Sequence, residues 1–392
     1  MQEINEYKFN IPEYVRAVLN RLSLNGERAY IVGGSLRDML LSKVPHDFDI
    51  ASSAEPMRVC EIFSDMRVIK TGLSHGTVTV LSSGQPIEIT TFRVDGEYLD
   101  MRRPESVVFT RRIEDDLSRR DFTVNAMAYN ENDGLIDLFG GKDDLEKRII
   151  RTVGDPYERF SEDALRIMRA FRFSAQLGFD IEEKTLDAAK ALANRLSFIA
   201  KERIFSELLK LVCSSYPEKP LTQMCELGIL PYVFSDFLPS DRAISLLSAV
   251  NNDEILRLAV LFCDTDGEMA KKELTLLKAS GRLRASSLIV DAAKKTYSER
   301  ADMAYLRARL ANDAEIALRL SVLLGNSQES ALALLDDNTP CSISQLALGG
   351  DDLIALGYSG REIGKILAHL LDEVIKNPSL NNRESLLDMV KN

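Results

Sequence analysis

Residues 29–51 read AYIVGGSLRDMLLSKVPHDFDIA, and this stretch decides the fold of the first part of the chain. The apolar run Ala29–Val32 predicts a short strand, and the paired glycines Gly33 and Gly34 predict a turn that leads into a helix. Glycine lets an anion approach the backbone closely, and the first amides of a helix bind anions such as phosphate. Together with Arg37 the turn predicts an anion site, although paired glycines after a strand are also typical of a plain turn.

Two aspartates follow on the next predicted strand. Asp47 and Asp49 are two residues apart, and alternate side chains of a strand share one face. Adjacent carboxylates repel each other, and a divalent cation that also binds phosphate oxygens removes this repulsion, which is how Mg²⁺ is normally held. A third carboxylate, Glu88, lies on a later strand and is expected to face the same pocket. The sequence therefore predicts a magnesium site at Asp47 and Asp49, with two acids on a solvated strand face as the alternative.

Outside this stretch, strand patterns are confined to the first part of the chain. Residues 77–81 (TVTVL) and 86–92 (PIEITTF) alternate around Gly84, which predicts a β-hairpin with one buried face. After Gly140 such patterns nearly vanish, and apolar residues recur at helical spacing from Ala164 onward. We therefore expect an α+β fold, in which a small mixed β-sheet head is followed by an all-α neck, body and tail.

The composition is that of a globular protein, since 45% of the 392 residues are hydrophobic and 28% are charged. No stretch approaches the roughly 18 consecutive apolar residues that a membrane-spanning helix needs. The five cysteines are scattered without a CxxC pair, which favours thiols in a reducing compartment over a disulfide framework or a zinc site. These features predict a cytoplasmic protein with no membrane partner.

The charge of the chain limits how it can bind a nucleic acid. Lys and Arg number 49 and Asp and Glu number 60, so the formal net charge is −11. This balance disfavours a protein that holds nucleic acid by bulk positive charge. Arginines are nevertheless concentrated in residues 93–120 and 148–172, and an RNA partner is expected to meet such local clusters.

The segment that follows Ser161 predicts a helix whose polar side chains could take part in binding as well as in packing. Ser161 is interpreted as the N-cap, with acids in the first turn, and Asp163 and Arg166 follow at i and i+3. The plain interpretation is a surface ion pair worth about 0.2 to 0.5 kcal/mol. The alternative is base recognition, because an accepting carboxylate and a donating guanidinium match the amine and ring nitrogen shared by cytosine and adenine. Arg169 and Arg172 continue the same i+3 series.

Four long motifs occur in a fixed order and together resemble one family. The sequence is similar to the class II nucleotidyltransferases, which comprise the bacterial-type tRNA CCA-adding enzymes and their poly(A) polymerase relatives. The motifs are GGSLRD with HDFDIA (33–38 and 46–51), RRDFTVNAMAYN (119–130), RFSEDALRIMRAFRFSAQLGF (159–179) and KERIFSELLKL (201–211).

The resemblance implies a role for each candidate residue. Asp47 and Asp49 would bind Mg²⁺, and Glu88 would be the third catalytic carboxylate, which helps to activate the 3′-hydroxyl of the RNA. The implied nucleotide-binding residues are Gly34 and Arg37 at the triphosphate, Arg120 in the second motif, Asp163 and Arg166 at the base, and Arg169 and Arg172 as further contacts. Asp121 and Asn125 lie near Arg120 and are weaker candidates.

The implied reaction adds CCA to the 3′ end of tRNA from CTP and ATP, without a template and with release of pyrophosphate. One alternative is an A-adding enzyme or poly(A) polymerase with the same site. Another is an inactive RNA-binding module, against which the intact Asp47, Asp49 and Arg37 speak. Residues 94–109 predict a mobile loop of a kind that, by the resemblance, argues against an enzyme that adds only CC.

The expected division of the chain has four parts. We predict a nucleotidyltransferase head at 1–145, a neck with the nucleotide-reading helix at 146–212, an RNA-binding body at 213–310 and a tRNA-binding tail at 311–392. The active site is expected where the head meets the neck.

Overall fold

The computed structural model describes residues 9–95, 107–336 and 339–391. The chain divides into two compact units, Met1–Leu238 and Pro239–Asn392. The finer division into four parts stays a prediction. Most of the predicted loop at 94–109 lies outside the described residues.

The first unit contains a seven-stranded mixed sheet with the order β3-β4-β5-β2-β1-β8-β9. Strands β6 and β7 form an antiparallel ribbon, and β10 and β11 form a short parallel pair. Because β10 and β11 lie within the predicted neck, that segment is largely helical and not all-α as expected. The strands are β1 (Ala29–Val32), β2 (Asp49–Ser52), β3 (Val68–Ile69), β4 (Thr77–Ser82), β5 (Gln85–Thr91), β6 (Arg93–Asp95), β7 (Val107–Phe109), β8 (Met127–Asn130), β9 (Gly134–Asp137), β10 (Ile149–Ile150) and β11 (Asp180–Ile181).

Helices cover the sheet and make up the rest of this unit. Short 3₁₀ turns lie at Leu73–His75, Thr123–Asn125, Ala193–Phe198 and Leu230–Tyr232. The helices are α1 (Glu13–Leu24), α2 (Gly33–Leu40), α3 (Pro56–Ile62), α4 (Ile113–Ser118), α5 (Gly141–Lys147), α6 (Pro156–Glu162), α7 (Leu165–Leu177), α8 (Glu183–Leu192), α9 (Lys201–Val212) and α10 (Glu218–Glu226).

The predicted hairpin is confirmed as β4 and β5, which pair in antiparallel register. Ser83 and Gly84 form its two-residue turn, and both have a positive φ, as the favoured hairpin turns require. Val78 and Val80 are buried while their neighbours are partly exposed, so the period-two pattern of the sequence marks the core face. A central cluster of buried apolar side chains packs behind the sheet: Tyr30, Val32, Ala51, Phe92, Ile113, Leu117 and Ala128.

The described residues of the second unit form helices joined by turns and loops and contain no strand, as predicted. Its last helices enclose a core of Leu348, Leu353, Leu367, Leu370, Val374 and Leu386. Within the described residues, the helices are too short or too polar for any of them to cross a membrane. They are α11 (Asp241–Leu247), α12 (Glu254–Leu261), α13 (Gly267–Leu276), α14 (Gly281–Arg284), α15 (Ser286–Ala293), α16 (Arg300–Leu310), α17 (Ala314–Leu323), α18 (Gly350–Ala355), α19 (Arg361–Lys376) and α20 (Arg383–Lys391).

Candidate nucleotide-binding site

The turn between β1 and α2 brings two parts of the site together at Gly33. Its φ is +68°, a backbone conformation that residues other than glycine rarely adopt. A Cβ atom added to Gly33 would lie 3.3 Å from Nη1 of Arg120 and 3.7 Å from Oδ2 of Asp49. Gly33 therefore allows both the turn itself and the close approach of a guanidinium and a carboxylate to it.

Replacing Gly33 by Ala is expected to lower kcat/KM by about tenfold, because the added methyl group displaces Arg120 by a few tenths of an ångström. The Gly84→Ala variant is the matched control. Gly84 also has a positive φ, of +79°, but nothing lies within 4 Å of its added Cβ. Both variants should lose a similar stability from backbone strain, about 1 kcal/mol. Equal kcat/KM in the two variants would contradict this assignment of Gly33.

Asp49 and Glu88 lie side by side on one face of the sheet. Strands β2 and β5 are parallel, and Asp49 lies directly opposite Glu88 in their register. The prediction that Asp47 shares a strand with Asp49 is wrong, because β2 begins at Asp49 and Asp47 lies in the bend before it. All three acids are exposed, and the residues on either side of Asp49 and of Glu88 are buried. Desolvation by neighbouring atoms and repulsion from Asp47 and Glu88 raise the pKa of Asp49 to about 6, and Arg120 acts in the opposite direction. The acids therefore form one electrostatically coupled cluster.

The donor set of this cluster fits a hard divalent cation. Asp47 and Asp49 present carboxylate oxygens on an open face, and their mutual repulsion is what a cation would relieve. Among the described residues, no three acidic, histidine or cysteine side chains are grouped closely enough to ligate a metal by themselves. Mg²⁺ usually takes only one or two protein carboxylates, completed by waters and substrate phosphates.

Arg120 is held in place by a buried acid that sequence reasoning missed. The side chain of Asp116 is 1% exposed, and its Oδ2 accepts a hydrogen bond of 3.0 Å from Nη2 of Arg120. Its Oδ1 accepts one of 2.6 Å from Nη2 of Arg119. Although burial acts to raise it, the two guanidiniums hold the pKa of Asp116 below its usual range. The i,i+4 spacing of Asp116 and Arg120 could have revealed this pair.

Arg37 lies over the start of its own helix. Its Nη2 is 3.5 Å from the position of an added Cβ on Gly34, so Gly34 and Arg37 form one surface. Nη1 of Arg37 donates a 2.8 Å hydrogen bond to Oδ1 of Asn125, and Nη2 donates one of 2.8 Å to Oδ1 of Asp38. The guanidinium is thus fixed between the glycine turn and the second motif.

The predicted N-cap at Ser161 is wrong, because Ser161 lies inside α6. Asp155 is the N-cap of α6, and its side chain accepts hydrogen bonds from the amides of Tyr157 and Glu158. Asp155 is followed by Pro156, whose fixed φ suits the first position of a helix, so this pair starts the helix earlier. Helix α6 then ends at Glu162, and Asp163 follows as its C-cap, with φ of −142° and ψ of 103°.

Asp163 therefore lies at the junction of two helices instead of in the first turn of one. Its Oδ1 accepts a 3.0 Å hydrogen bond from the amide of Leu165, which begins α7. Its Oδ2 accepts a 3.0 Å hydrogen bond from Nη2 of Arg203 on α9. The surface ion pair between Asp163 and Arg166 that their spacing suggested does not form in the described structure.

Arg166 has partners of its own, and its side chain is only 10% exposed. Nη1 donates a 2.8 Å hydrogen bond to Glu162, and Nη2 donates one of 3.2 Å to the carbonyl oxygen of Arg119. The second contact joins α7 to the second motif. Asp163 and Arg166 are thus close in sequence, but their side chains are held by different partners.

The last two predicted arginines are also paired with buried acids. Arg169 contacts Asp121, with Nε 2.6 Å from Oδ2. Burial acts to raise the pKa of Asp121, but Arg169 and Arg166 hold it below its usual range. Nε of Arg172 lies 2.6 Å from Oε2 of Glu207, although desolvation lowers the pKa of Arg172.

The structure thus brings every predicted site residue into one part of the first unit, around the glycine turn, the second motif and helix α7. Sequence reasoning missed the residues that hold them there. Glu162 lies at i−4 from Arg166 and was detectable from spacing, whereas the contacts of Arg203 and Glu207 join distant helices and carry no local pattern. The missed residues are Asp116, Glu162, Phe173, Arg203 and Glu207.

Two family models match the chain. Residues 29–151 match the poly A polymerase head domain, and residues 178–240 match a domain described as a probable RNA- and SrmB-binding site of polymerase A. The matched ranges contain the sheet with its three acids and the helices α8 to α10.

Several known proteins resemble the chain over nearly its full length. It is 37% identical to a CCA-adding enzyme of Pediococcus pentosaceus over 390 residues, which is 96% of this chain and 97% of that one. It is also 37% identical to a CCA-adding enzyme of Levilactobacillus brevis over 388 residues, 96% of this chain and 97% of that one. A Bacillus stearothermophilus CCA-adding enzyme crystallised with CTP matches with a TM-score of 0.81 and 28% identity, covering 97% of this chain and 98% of that chain.

Proposed function

Because this chain belongs to the class II family of CCA-adding enzymes and poly(A) polymerases, it is a tRNA nucleotidyltransferase, and we propose that its active site lies at the Gly33 turn. The enzyme adds CCA to the 3′ end of tRNA from CTP and ATP and releases pyrophosphate. The observation that carries the proposed site is the meeting of Arg120 and Asp49 at Gly33, which puts a phosphate-binding cation beside a catalytic acid.

In the proposed reaction the 3′-hydroxyl oxygen of the RNA attacks the α-phosphorus of the nucleotide, and the bond to pyrophosphate breaks. Arg37 and Arg120, with the backbone at Gly34, hold the triphosphate. Glu88 lies opposite Asp49 in the sheet and helps to remove the proton of the 3′-hydroxyl. Most of the rate comes from holding the two reactants in line and from the positive charge around the phosphates.

We propose Mg²⁺ as the cofactor, held by the carboxylates of Asp47 and Asp49. When bound, Mg²⁺ supplies the charge that stabilises the attacking and leaving oxygens. The coupled carboxylates support this choice, because oxygen ligands of this kind suit Mg²⁺ and not a soft metal. Loss of all transfer on removal of divalent ions, and its recovery on addition of Mg²⁺, is the expected result.

Base selection is assigned to Asp163 and Arg166. A carboxylate that accepts and a guanidinium that donates match the Watson–Crick edge that cytosine and adenine share, whereas uracil and guanine present the reverse pattern. The separate anchors of Asp163 on Arg203 and of Arg166 on Glu162 support this role, since neither side chain satisfies the other. Arg169 and Arg172 are proposed as further nucleotide contacts.

Transfer by the purified protein to a tRNA that lacks its CCA end tests this function. With each of the four labelled nucleotides and Mg²⁺ supplied separately, CTP should be incorporated and UTP and GTP should not. Transfer that is indifferent to the base would contradict base selection by Asp163 and Arg166, and the absence of transfer with any nucleotide would contradict the function itself.

A cytoplasmic location is proposed as well, because the five cysteines are thiols of the kind that a reducing compartment preserves.

tRNA binding is expected to weaken with salt, but with a slope below that of about ten released ions, because only local cationic clusters meet the phosphates on an acidic chain. One such cluster lies at the corner of α13, α14 and α15. Its exposed cations are Lys271, Lys272, Lys278, Arg282 and Arg284, and the one acid among residues 271–284, Glu273, is fully buried.

The Arg282→Ala variant should reduce the salt slope by about one ion, and the exposed Arg319 provides the matched control. Glu315 lies 2.7 Å from Arg319 and already neutralises it, so the Arg319→Ala variant should bind tRNA as the wild type does. The measurement is the dissociation constant at several salt concentrations. A slope as steep as ten ions, or equal slopes for the two variants, would show that RNA meets a different surface.

A further inference from the structure

Three of the arginines proposed to bind the nucleotide surround one aromatic ring. The guanidinium carbons of Arg172, Arg169 and Arg37 lie 4.0, 5.3 and 5.7 Å from the centroid of the Phe173 ring. Arg37 belongs to α2 and the other two arginines to α7, so the ring is the point at which two separate elements bring their cations together. Phe173 itself is 7% exposed.

The ring has a fixed orientation. Phe122, in the second motif, packs edge-on against Phe173, with 5.6 Å between centroids and 77° between ring planes. The amide of Phe122 donates a hydrogen bond to Asp121, whose other oxygen accepts one from Arg169. A displacement of the Phe173 ring would therefore disturb both the second motif and the cations around the ring.

The three guanidiniums carry like charges and repel one another, so other contacts must hold them around the same ring. Each cation has an acid of its own: Asp38 for Arg37, Asp121 for Arg169 and Glu207 for Arg172. These acids lie on different elements, and each pairs with a single arginine, so they do not by themselves bring the three arginines together. The negative face of an aromatic ring attracts cations from several directions, and this attraction is stronger where water is excluded.

We propose that Phe173 is a positioning residue, whose aromatic face fixes Arg37, Arg169 and Arg172 in the arrangement that receives the nucleotide. The proposal rests on the proposed function, because it takes the three arginines as nucleotide contacts. It gives Phe173 a role beyond core packing: the charge distribution of the ring matters, and not only its volume.

Stepwise fluorination of Phe173 tests this role. Fluorine on the ring withdraws electron density and weakens its attraction for cations, while the size of the side chain changes little. From phenylalanine to 4-fluoro-, 3,5-difluoro- and 3,4,5-trifluorophenylalanine, the KM for CTP and ATP should rise in graded steps, to about fivefold to tenfold. The kcat and the melting temperature should stay close to the wild-type values.

Phe171, two residues earlier on the same helix and fully buried, is the matched control. The same series at Phe171 should leave the KM unchanged. An unchanged KM across the series at Phe173, or an equal rise in KM at both positions, would overturn the proposal. The Phe173→Leu variant adds a second comparison, since it keeps an apolar side chain without the ring and should raise the KM at least as far as the trifluorinated residue does.

Equilibrium binding of CTP, measured by calorimetry on the same proteins, separates this proposal from the function. A wild-type protein that binds CTP but transfers nothing would contradict the function. The dissociation constants of the fluorinated variants would still test the role of Phe173. A wild-type protein that does not bind CTP would overturn both.

Discussion

The Asp49→Asn variant is expected to lose turnover by about a thousandfold or more while it remains folded. The substitution keeps the size of the side chain but removes one charge from the face that would hold the cation and the reacting phosphate. The Asp47→Asn variant should behave in the same way, since Asp47 is exposed like Asp49 and close enough to repel its charge. The measurement is single-turnover transfer of CTP to tRNA, which reports the chemical step without product release.

The stability of the Asp49→Asn variant gives an internal check. The folded protein holds the pKa of Asp49 at about 6, above the usual range, so ionisation of this group costs stability as the pH rises past that value. Removal of the charge should therefore leave the melting temperature at pH 8 unchanged or raise it. The Asp143→Asn variant, at an exposed position of α5, is the control and should keep full activity. Near-normal turnover in either site variant would contradict the metal assignment.

The Asp163→Ala variant is expected to relax the choice of nucleotide before catalysis disappears. It removes the acceptor for the exocyclic amine and leaves the acids and the phosphate-binding arginines in place. One lost base contact is worth about 1 to 3 kcal/mol, or roughly tenfold to more than a hundredfold in the preference for CTP and ATP over UTP and GTP. The measurement is kcat/KM for all four nucleotides in the variant and the wild type.

The Asp180→Ala variant is the matched control for Asp163. Asp180 forms an exposed ion pair with Lys219, so its loss should cost at most about 1 kcal/mol of stability and leave nucleotide choice unchanged. If all four values of kcat/KM fell together in the Asp163→Ala variant, Asp163 would only support the junction between α6 and α7. The base-selection mechanism would then be wrong.

Local patterns were sufficient to predict the elements that carry the chemistry. The period-two alternation of residues 77–92 fixed which side of the hairpin is buried, and the paired glycines located the turn into α2. Two-residue spacing failed for Asp47 and Asp49, because the strand begins only at Asp49. The register that sets Asp49 opposite Glu88 is a parallel pairing of strands that are distant along the chain, and no local pattern encodes it.

The break between α6 and α7 shows where pattern reading failed. Serine is a common N-cap residue, but Asp155 followed by Pro156 begins the helix six residues before Ser161. Helices α6 and α7 then meet at Asp163. Helical spacing suggested that Asp163 and Arg166 pair, whereas tertiary packing brings Arg203 to Asp163 from 40 residues away. Motif resemblance made Asp163 and Arg166 the candidates for base recognition, and only the fold could identify what holds them.

CCA addition is tested with two tRNAs, one that ends just before CCA and one that ends in CC, each incubated with Mg²⁺ and CTP alone, ATP alone or both, with the products resolved to single nucleotides. On the first tRNA we expect two added nucleotides with CTP alone, none with ATP alone, and three, ending in A, with both. Addition of A only to a tRNA that already ends in CC, or a long A tail, would contradict CCA addition and favour an A-adding enzyme or a poly(A) polymerase. No addition to either tRNA under any condition would contradict catalysis altogether and favour an inactive RNA-binding protein.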